Sequence, residues 1–172
     1  MVLAILVKSE SNINLDKLVS DLTTDSVLKV GWVKGNRYPK EDGGKYVAEI
    51  AAQNEYGAPH KAIPARPFMA PAVAQNKTKW ANLAVKGAAK AANGDTTMPD
   101  VLESLGIVAA NDVAKAIKAV TSPALSPVTI ANRLARYKSK GKKKKINPTT
   151  LTKPLVDTSL MIDSVYSTVE PE

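Results

Sequence analysis

The chain has 172 residues and a formal net charge of +8, with an apolar share of 44% and an aromatic share of only 5%. This length suits one domain, which we predict over residues 1–172. The lack of cysteine excludes disulfides, a thiolate nucleophile and zinc sites built on Cys. Much of the apolar share is Ala and Val, which predicts a core of small side chains and further burial against neighbouring subunits.

The positive charge is concentrated in one run. Between residues 133 and 145 there are eight basic residues and no acidic one, which equals the whole net excess: Arg133, Arg136, Lys138, Lys140, Lys142, Lys143, Lys144 and Lys145. The run has no apolar periodicity after Gly141, which predicts a mobile, exposed basic loop at about residues 139–153. Three roles stay open: contact with DNA phosphates, contact with an acidic protein surface, or a solvated loop without a partner.

The first half of the chain predicts short elements. The apolar start, MVLAILVKSE, is too short for a membrane span or a signal peptide and favours a short first strand. Apolar spacing predicts a helix over residues 14–22, and alternation predicts a strand over residues 27–34. A polar loop follows, and a helix is expected over residues 45–57 with Gly57 at its carboxyl end.

The second half predicts two long helices and a closing strand. The helices are expected over residues 70–92 and 99–120, and the SP pair at Ser126 predicts a further short helix. Residues 160–170 alternate in a way typical of a strand. Together these elements predict an α+β fold with a small, mostly antiparallel sheet packed against several helices.

His60, the only histidine, is the obvious catalytic candidate. The sequence contains neither a GxSxG elbow nor an HExxH pair, and it lacks both GxxxxGK[ST] and GxGxxG phosphate-binding loops. No catalytic residue, metal ligand or cofactor is therefore expected, and a hydrolase that uses His60 is the least favoured hypothesis. A small basic nucleic-acid-binding protein is the stronger alternative, because the basic run could contact phosphates.

Several blocks, in a fixed order, carry a family resemblance. They are EIAAQNEYGAPHKAIPARPFMAPA over residues 49–72, PALSPVTIANRLARYKSKG from Pro123, and KPLVDTSLMIDSV ending at Val165. This arrangement resembles the tail-completion and head–tail joining proteins of the neck of long-tailed bacteriophages and prophages. The family usually has glycine after the Asp-Thr pair, where this chain has Ser159.

The resemblance implies a non-enzymatic α+β subunit of the virion, made in the host cytoplasm, without a cofactor or membrane contact. It implies a homo-oligomer, a sixfold ring, beside tail-terminator, tail-tube or head-connector proteins, with non-specific contact to packaged DNA as an option. A stiff Pro-rich loop suits subunit or tail contact because little entropy is lost on binding. The expected interface residues are Tyr56, Gly57, Arg66, Pro67 and Phe68. Packing of Pro67 and Phe68 into their own core is an equally open alternative.

Overall fold

The structure is a computed structural model that describes residues 26–33, 35–40, 43–139, 151–157 and 159–171. The first strand and the helix over residues 14–22 that the sequence predicts lie outside these ranges. So do residues 140–150, which form most of the predicted basic loop and include Lys140, Lys142, Lys143, Lys144 and Lys145.

The fold is α+β, as predicted from the sequence. The described residues form, in chain order, strand β1 (Ser26–Gly31), helices α1 (Val47–Tyr56), α2 (Met69–Ala92), α3 (Met98–Ala119), α4 (Pro127–Ser139) and α5 (Leu160–Asp163), and strand β2 (Tyr166–Pro171). Within these residues, no helix combines the length and the apolar character needed to cross a bilayer.

The two strands form an antiparallel pair that packs on α3. The register runs from Ser26 opposite Pro171 to Gly31 opposite Tyr166. Gly106, in the middle of α3, lies so close to the sheet that a Cβ there would be 2.6 Å from Ser167 Oγ and 2.8 Å from Leu28 Cδ1. A two-stranded sheet is marginal alone, so its contact with α3 is what stabilises it.

Helices α2 and α3 form a long antiparallel hairpin. The turn between them uses Gly94 at φ 82°, and Thr97 begins α3 by accepting a hydrogen bond from the Asp100 amide at 3.3 Å. Gly87 of α2 faces Val101 of α3, and a Cβ at this position would overlap that side chain. The small residue therefore lets the two helices approach closely.

The core is built largely of small side chains, with one aromatic pair at its centre. Twelve apolar side chains are buried among the described residues, and five of them are alanines. Phe68 is 1% exposed and meets Trp32 in an edge-to-face contact, with ring centroids 5.8 Å apart. The indole of Trp32 also donates a hydrogen bond of 2.8 Å to the Met161 carbonyl. This pair ties the end of β1 to the beginning of α2 and to α5.

The predicted strand over residues 160–170 is wrong in its first part. Residues Leu160–Asp163 form a short helix, and the strand begins only at Tyr166. Met161 and Ile162 are both buried, although consecutive residues of a strand would face opposite sides of the sheet. A helical turn lets both side chains enter the core, and this burial overrides the alternating pattern.

Candidate functional site

The Pro-rich segment between α1 and α2 folds as a tight hairpin. Pro59–Lys61 form a 3₁₀ turn, and the backbones of Ala58 and Ile63 are paired through two hydrogen bonds of 2.9 and 3.1 Å. Prolines fix φ at the first residue of this turn, Pro59, and at Pro64, directly after the paired Ile63. We call residues 57–68 the proline-rich loop.

Glu55, at the end of α1, holds the far end of this loop. Its carboxylate accepts hydrogen bonds from three consecutive amides at the beginning of α2: Phe68 at 2.7 Å, Met69 at 2.9 Å and Ala70 at 3.0 Å. The first amides of a helix lack intrahelical partners and attract negative charge. The side chain is only 9% exposed, so these hydrogen bonds compensate for burying it.

Gly57 lets the chain turn sharply out of α1. Its backbone has φ 76°, a conformation that favours glycine, and a Cβ would lie 2.9 Å from the Ala65 amide nitrogen. The two arms of the loop are therefore in backbone contact at this point. The EYG and ARPF blocks, which are separate in sequence, form one rigid unit through Glu55 and Gly57.

Arg66 connects the loop to the segment before α4. Its Nε donates to the Pro123 carbonyl at 2.7 Å and its Nη2 to the Ala124 carbonyl at 3.0 Å, while its own amide donates to the Asn54 carbonyl at 2.6 Å. The residue is 6% exposed. Burial, followed by the charge of nearby Arg133, lowers the pKa of the guanidinium.

Asp157 is the centre of a second cluster, on α4 and the segment before α5. Arg133 Nε lies 3.4 Å from the carboxylate, Arg136 forms an ion pair with it, and the Tyr137 hydroxyl donates to the Asp157 carbonyl at 3.0 Å. Arg133 also donates to the carbonyls of Leu151 and Lys153. Burial lowers the pKa of Arg133, although the charge of Asp157 opposes this effect.

A cleft of about 1030 Å³ lies between these two clusters. One wall is the proline-rich loop with the end of α1, and the other is formed by the beginning of α4 and the segment before α5. Tyr56 stands at the rim with 82% of its surface exposed. The cleft is larger than a second groove, of about 640 Å³, which lies between α2 and α3.

The structure separates the predicted interface residues into two groups. Tyr56 and Pro67 are exposed, whereas Arg66 and Phe68 are buried within the subunit and Gly57 is half-buried. For Phe68 this placement agrees with the core-packing alternative that the sequence left open. Tyr56 and Pro67 are available to a partner.

The described part of the basic run is likewise divided. Arg133 and Arg136 are used inside the subunit by Asp157, and Lys138 is exposed on α4. The charges of the two arginines are therefore partly compensated, which leaves the exposed lysine as the described residue of the run best placed for an external anion.

Sequence reasoning did not identify Glu55 or Asp157, the two carboxylates that organise the site. Their partners lie 13 or more residues away along the chain, so no local spacing reveals the contacts. Glu55 does precede the YG pair in the quoted block, and Asp157 lies in KPLVDT. The only sequence signal for a role of Glu55 and Asp157 was that they lie in these blocks.

His60 lies exposed on the 3₁₀ turn. The described residues contain no group of three or more His, Cys, Asp or Glu side chains that could hold a metal ion. The arrangement around the cleft consists of hydrogen bonds and ion pairs that fix the backbone.

No protein-family model, curated protein or solved structure matches this chain.

Proposed function

We propose that the chain is a non-enzymatic structural subunit of a phage virion. In this proposal it forms a homo-oligomeric ring at the neck or at the upper end of the tail, and it joins or completes tail and head. Its neighbours would be tail-terminator, tail-tube or head-connector proteins. The sequence blocks described above suggest this role, and the organisation of the proline-rich loop supports it.

The observation that carries the proposal is a rigid loop that presents apolar groups to solvent. Glu55, Gly57 and Arg66 fix the backbone at its two ends. The same geometry leaves Pro59, Pro64 and Pro67 of the loop exposed, together with Tyr56, the last residue of α1 beside it. A loop that is already ordered loses little entropy on binding, and aromatic side chains are common energetic centres of interfaces.

Exposed apolar side chains elsewhere are consistent with assembly. Val85 on α2, Ile107 on α3 and Val128 on α4 are each more than 60% exposed. Scattered exposed apolar residues are normal in a monomer, so these three residues do not carry the proposal alone. They become informative beside the rigid loop, because a ring subunit needs more than one contact surface.

Substitution of Tyr56 tests the proposed contact. Tyr56→Ala is expected to weaken self-association, measured by sedimentation velocity, by about tenfold or more. The melting temperature should not change, because the tyrosine side chain is exposed in the subunit. Val73→Ala is the matched control, since Val73 is 44% exposed on α2 and lies outside the loop. Equal effects of the two substitutions would remove the loop from the interface.

A further inference from the structure

The cleft beside the proline-rich loop carries an excess of positive charge. The charged side chains that line it, within the described residues, are Lys45, Arg66, Arg133, Arg136 and Asp157. Four cations thus face one carboxylate. Asp157 is shared between Arg133 and Arg136, and neither Lys45 nor Arg66 forms an ion pair with a described carboxylate. Lys45 and Arg66 are therefore the two cations of the cleft that are suited to an anionic group from outside.

Arg66 retains hydrogen-bonding capacity in this cleft. Its Nε and Nη2 groups are satisfied by the carbonyls of Pro123 and Ala124, while its Nη1 group makes no hydrogen bond to a described residue. The side chain is more than nine-tenths buried. A buried guanidinium close to a second one is unfavourable, and an incoming carboxylate would compensate the charge of Arg66.

The shape of the cleft favours a protein segment over nucleic acid. Its walls include Ile63, Leu125, Leu155 and Met161, and Arg66 and Arg133 are recessed rather than exposed. The phosphates of a duplex lie on a wide, hydrated surface that cannot enter such a cavity. An acidic side chain with apolar neighbours can reach the arginines and cover the apolar walls at the same time.

The chain itself presents exposed carboxylates at the opposite end of its long hairpin. Asp95, Asp100 and Glu103 lie at the α2–α3 turn, and none of them forms an ion pair among the described residues. Lys86 and Lys90 line the adjoining groove together with Asp95 and Asp100, and Glu103 lies exposed outside it as the carboxylate without a neighbouring ammonium group in the groove. No basic residue occurs between Lys90 and Lys115.

The two surfaces lie too far apart to meet within one subunit. Helix α2 is 24 residues long, hence about 36 Å, and it begins beside the cleft and ends at the acidic turn. Two different, complementary patches on one chain produce a head-to-tail contact, which closes into a ring when the rotation allows it.

We propose that the cleft binds the acidic α2–α3 turn of a second copy of this chain. The proposal rests on the ring assembly proposed above and names its subunit contact. The carboxylates at the turn of one copy contact the cations of the next copy, while Tyr56 packs at the rim.

Two charge-reversal variants of the full chain test this contact. The cleft variant carries Lys45→Glu and Ala65→Glu, both at exposed positions, and the turn variant carries Asp95→Lys and Glu103→Lys. A control with Lys118→Glu and Ala119→Glu changes the net charge as the cleft variant does, at exposed positions of α3. Each test variant is expected to lower the self-association constant in sedimentation velocity by more than about tenfold, since like charges then face each other.

Mixing the two variants gives the decisive result. The intact turn of the cleft variant can still bind the intact cleft of the turn variant, and the reversed cleft then faces the reversed turn with opposite charges, so an equimolar mixture is expected to recover association that neither variant shows alone. Thermal unfolding followed by circular dichroism should show unchanged melting temperatures. Higher salt should weaken parent association by screening the charges.

Three results would overturn the proposal. The first is that the parent and both variants assemble equally well. The proposed ring would then stand, but its contacts would lie elsewhere. The second is a mixture that remains monomeric. The third is that the cleft variant self-associates as strongly as the parent but binds duplex DNA less tightly. A parent that is monomeric at every concentration would overturn both this contact and the proposed ring.

Discussion

At the scale of single residues, Glu55 has the clearest structural role. Its carboxylate accepts three amide hydrogen bonds from the beginning of α2 and thereby fixes one end of the proline-rich loop. Glu55→Ala is expected to lower the free energy of unfolding by about 2–3 kcal/mol, measured by urea denaturation. Glu55→Gln, which keeps an acceptor but removes the charge, should lose less. Equal losses would show that the charge contributes nothing at this helix terminus.

Ser159 occupies a position that suits glycine. Its backbone has φ 61° in the left-handed region, and its side chain makes no capping hydrogen bond to α5. A left-handed backbone costs a serine about 1–2 kcal/mol. Glycine avoids this strain but loses more entropy on folding, which costs about 0.5–1 kcal/mol, so the relief of strain is the larger effect. Ser159→Gly should therefore raise the free energy of unfolding by up to about 1 kcal/mol. Ser159→Ala, the matched control, should give no increase, and an equal increase would refute the backbone explanation.

The same position links sequence to structure. In the family that the chain resembles, glycine usually follows the Asp-Thr pair, and the structure has a left-handed backbone at this residue. The sequence did not predict this turn, because serine rather than glycine stands at the position. The short helix that follows it could not be predicted either, because burial of Met161 and Ile162 decides it.

At the scale of elements, the α2–α3 hairpin is joined by a buried carboxylate. Asp112 of α3 is 6% exposed, forms an ion pair with Lys79 of α2, and accepts a hydrogen bond of 2.9 Å from the Trp80 indole. Burial alone would raise the pKa of Asp112. The hydrogen bonds from Lys79 and Trp80, with the charges of Lys79 and Lys115, outweigh burial, so the pKa is lowered.

This pKa gives a prediction about acid stability. The folded state binds the Asp112 proton less tightly than the unfolded state does. The contribution of Asp112 to the free energy of unfolding is therefore fully present above its ordinary pKa of 3.8, and it is lost as the pH falls through the lower pKa of the folded state. Asp112→Asn should lower the free energy of unfolding by about 2 kcal/mol at neutral pH. The difference from the parent should shrink below about pH 3.8. A difference that stays constant with pH would contradict the ionic role.

Sequence patterns located the helices well because periodicity and caps are local. The long helices were expected over residues 70–92 and 99–120 and are found at Met69–Ala92 and Met98–Ala119. The contacts of the site could not be predicted in the same way. Arg66 reaches carbonyls 57 and 58 residues away, and only tertiary packing determines whether an arginine in a loop points inward or outward.

At the scale of the whole molecule, the net charge has two parts with different roles. Arg133 and Arg136 stabilise the subunit through Asp157, whereas the lysines from 142 to 145 lie outside the described residues. A contact of these lysines with phosphates or carboxylates stays a prediction from the sequence.

Replacement of Lys142, Lys143, Lys144 and Lys145 by serine separates the two leading functions. For a virion structural protein, the variant should fold and form its ring but attach heads to tails less well, with a defect that grows with salt. For a nucleic-acid-binding protein, it should lose duplex affinity, and the slope of log affinity against log salt should fall by roughly 0.9 per phosphate contact removed. Parent-like behaviour in both assays would mean that the run is a solvated loop.

Negative-stain electron microscopy of the purified full chain, across a range of concentrations, tests the central claim most directly. Closed rings of uniform diameter are expected, because the proposed contact joins two different surfaces of the same chain, the cleft beside the proline-rich loop of one copy and the α2–α3 turn of the next. Tyr56→Ala is also expected to leave a folded subunit that forms few rings. Particles that remain monomeric at every concentration, while the protein binds duplex DNA with a steep salt dependence, would contradict the central claim.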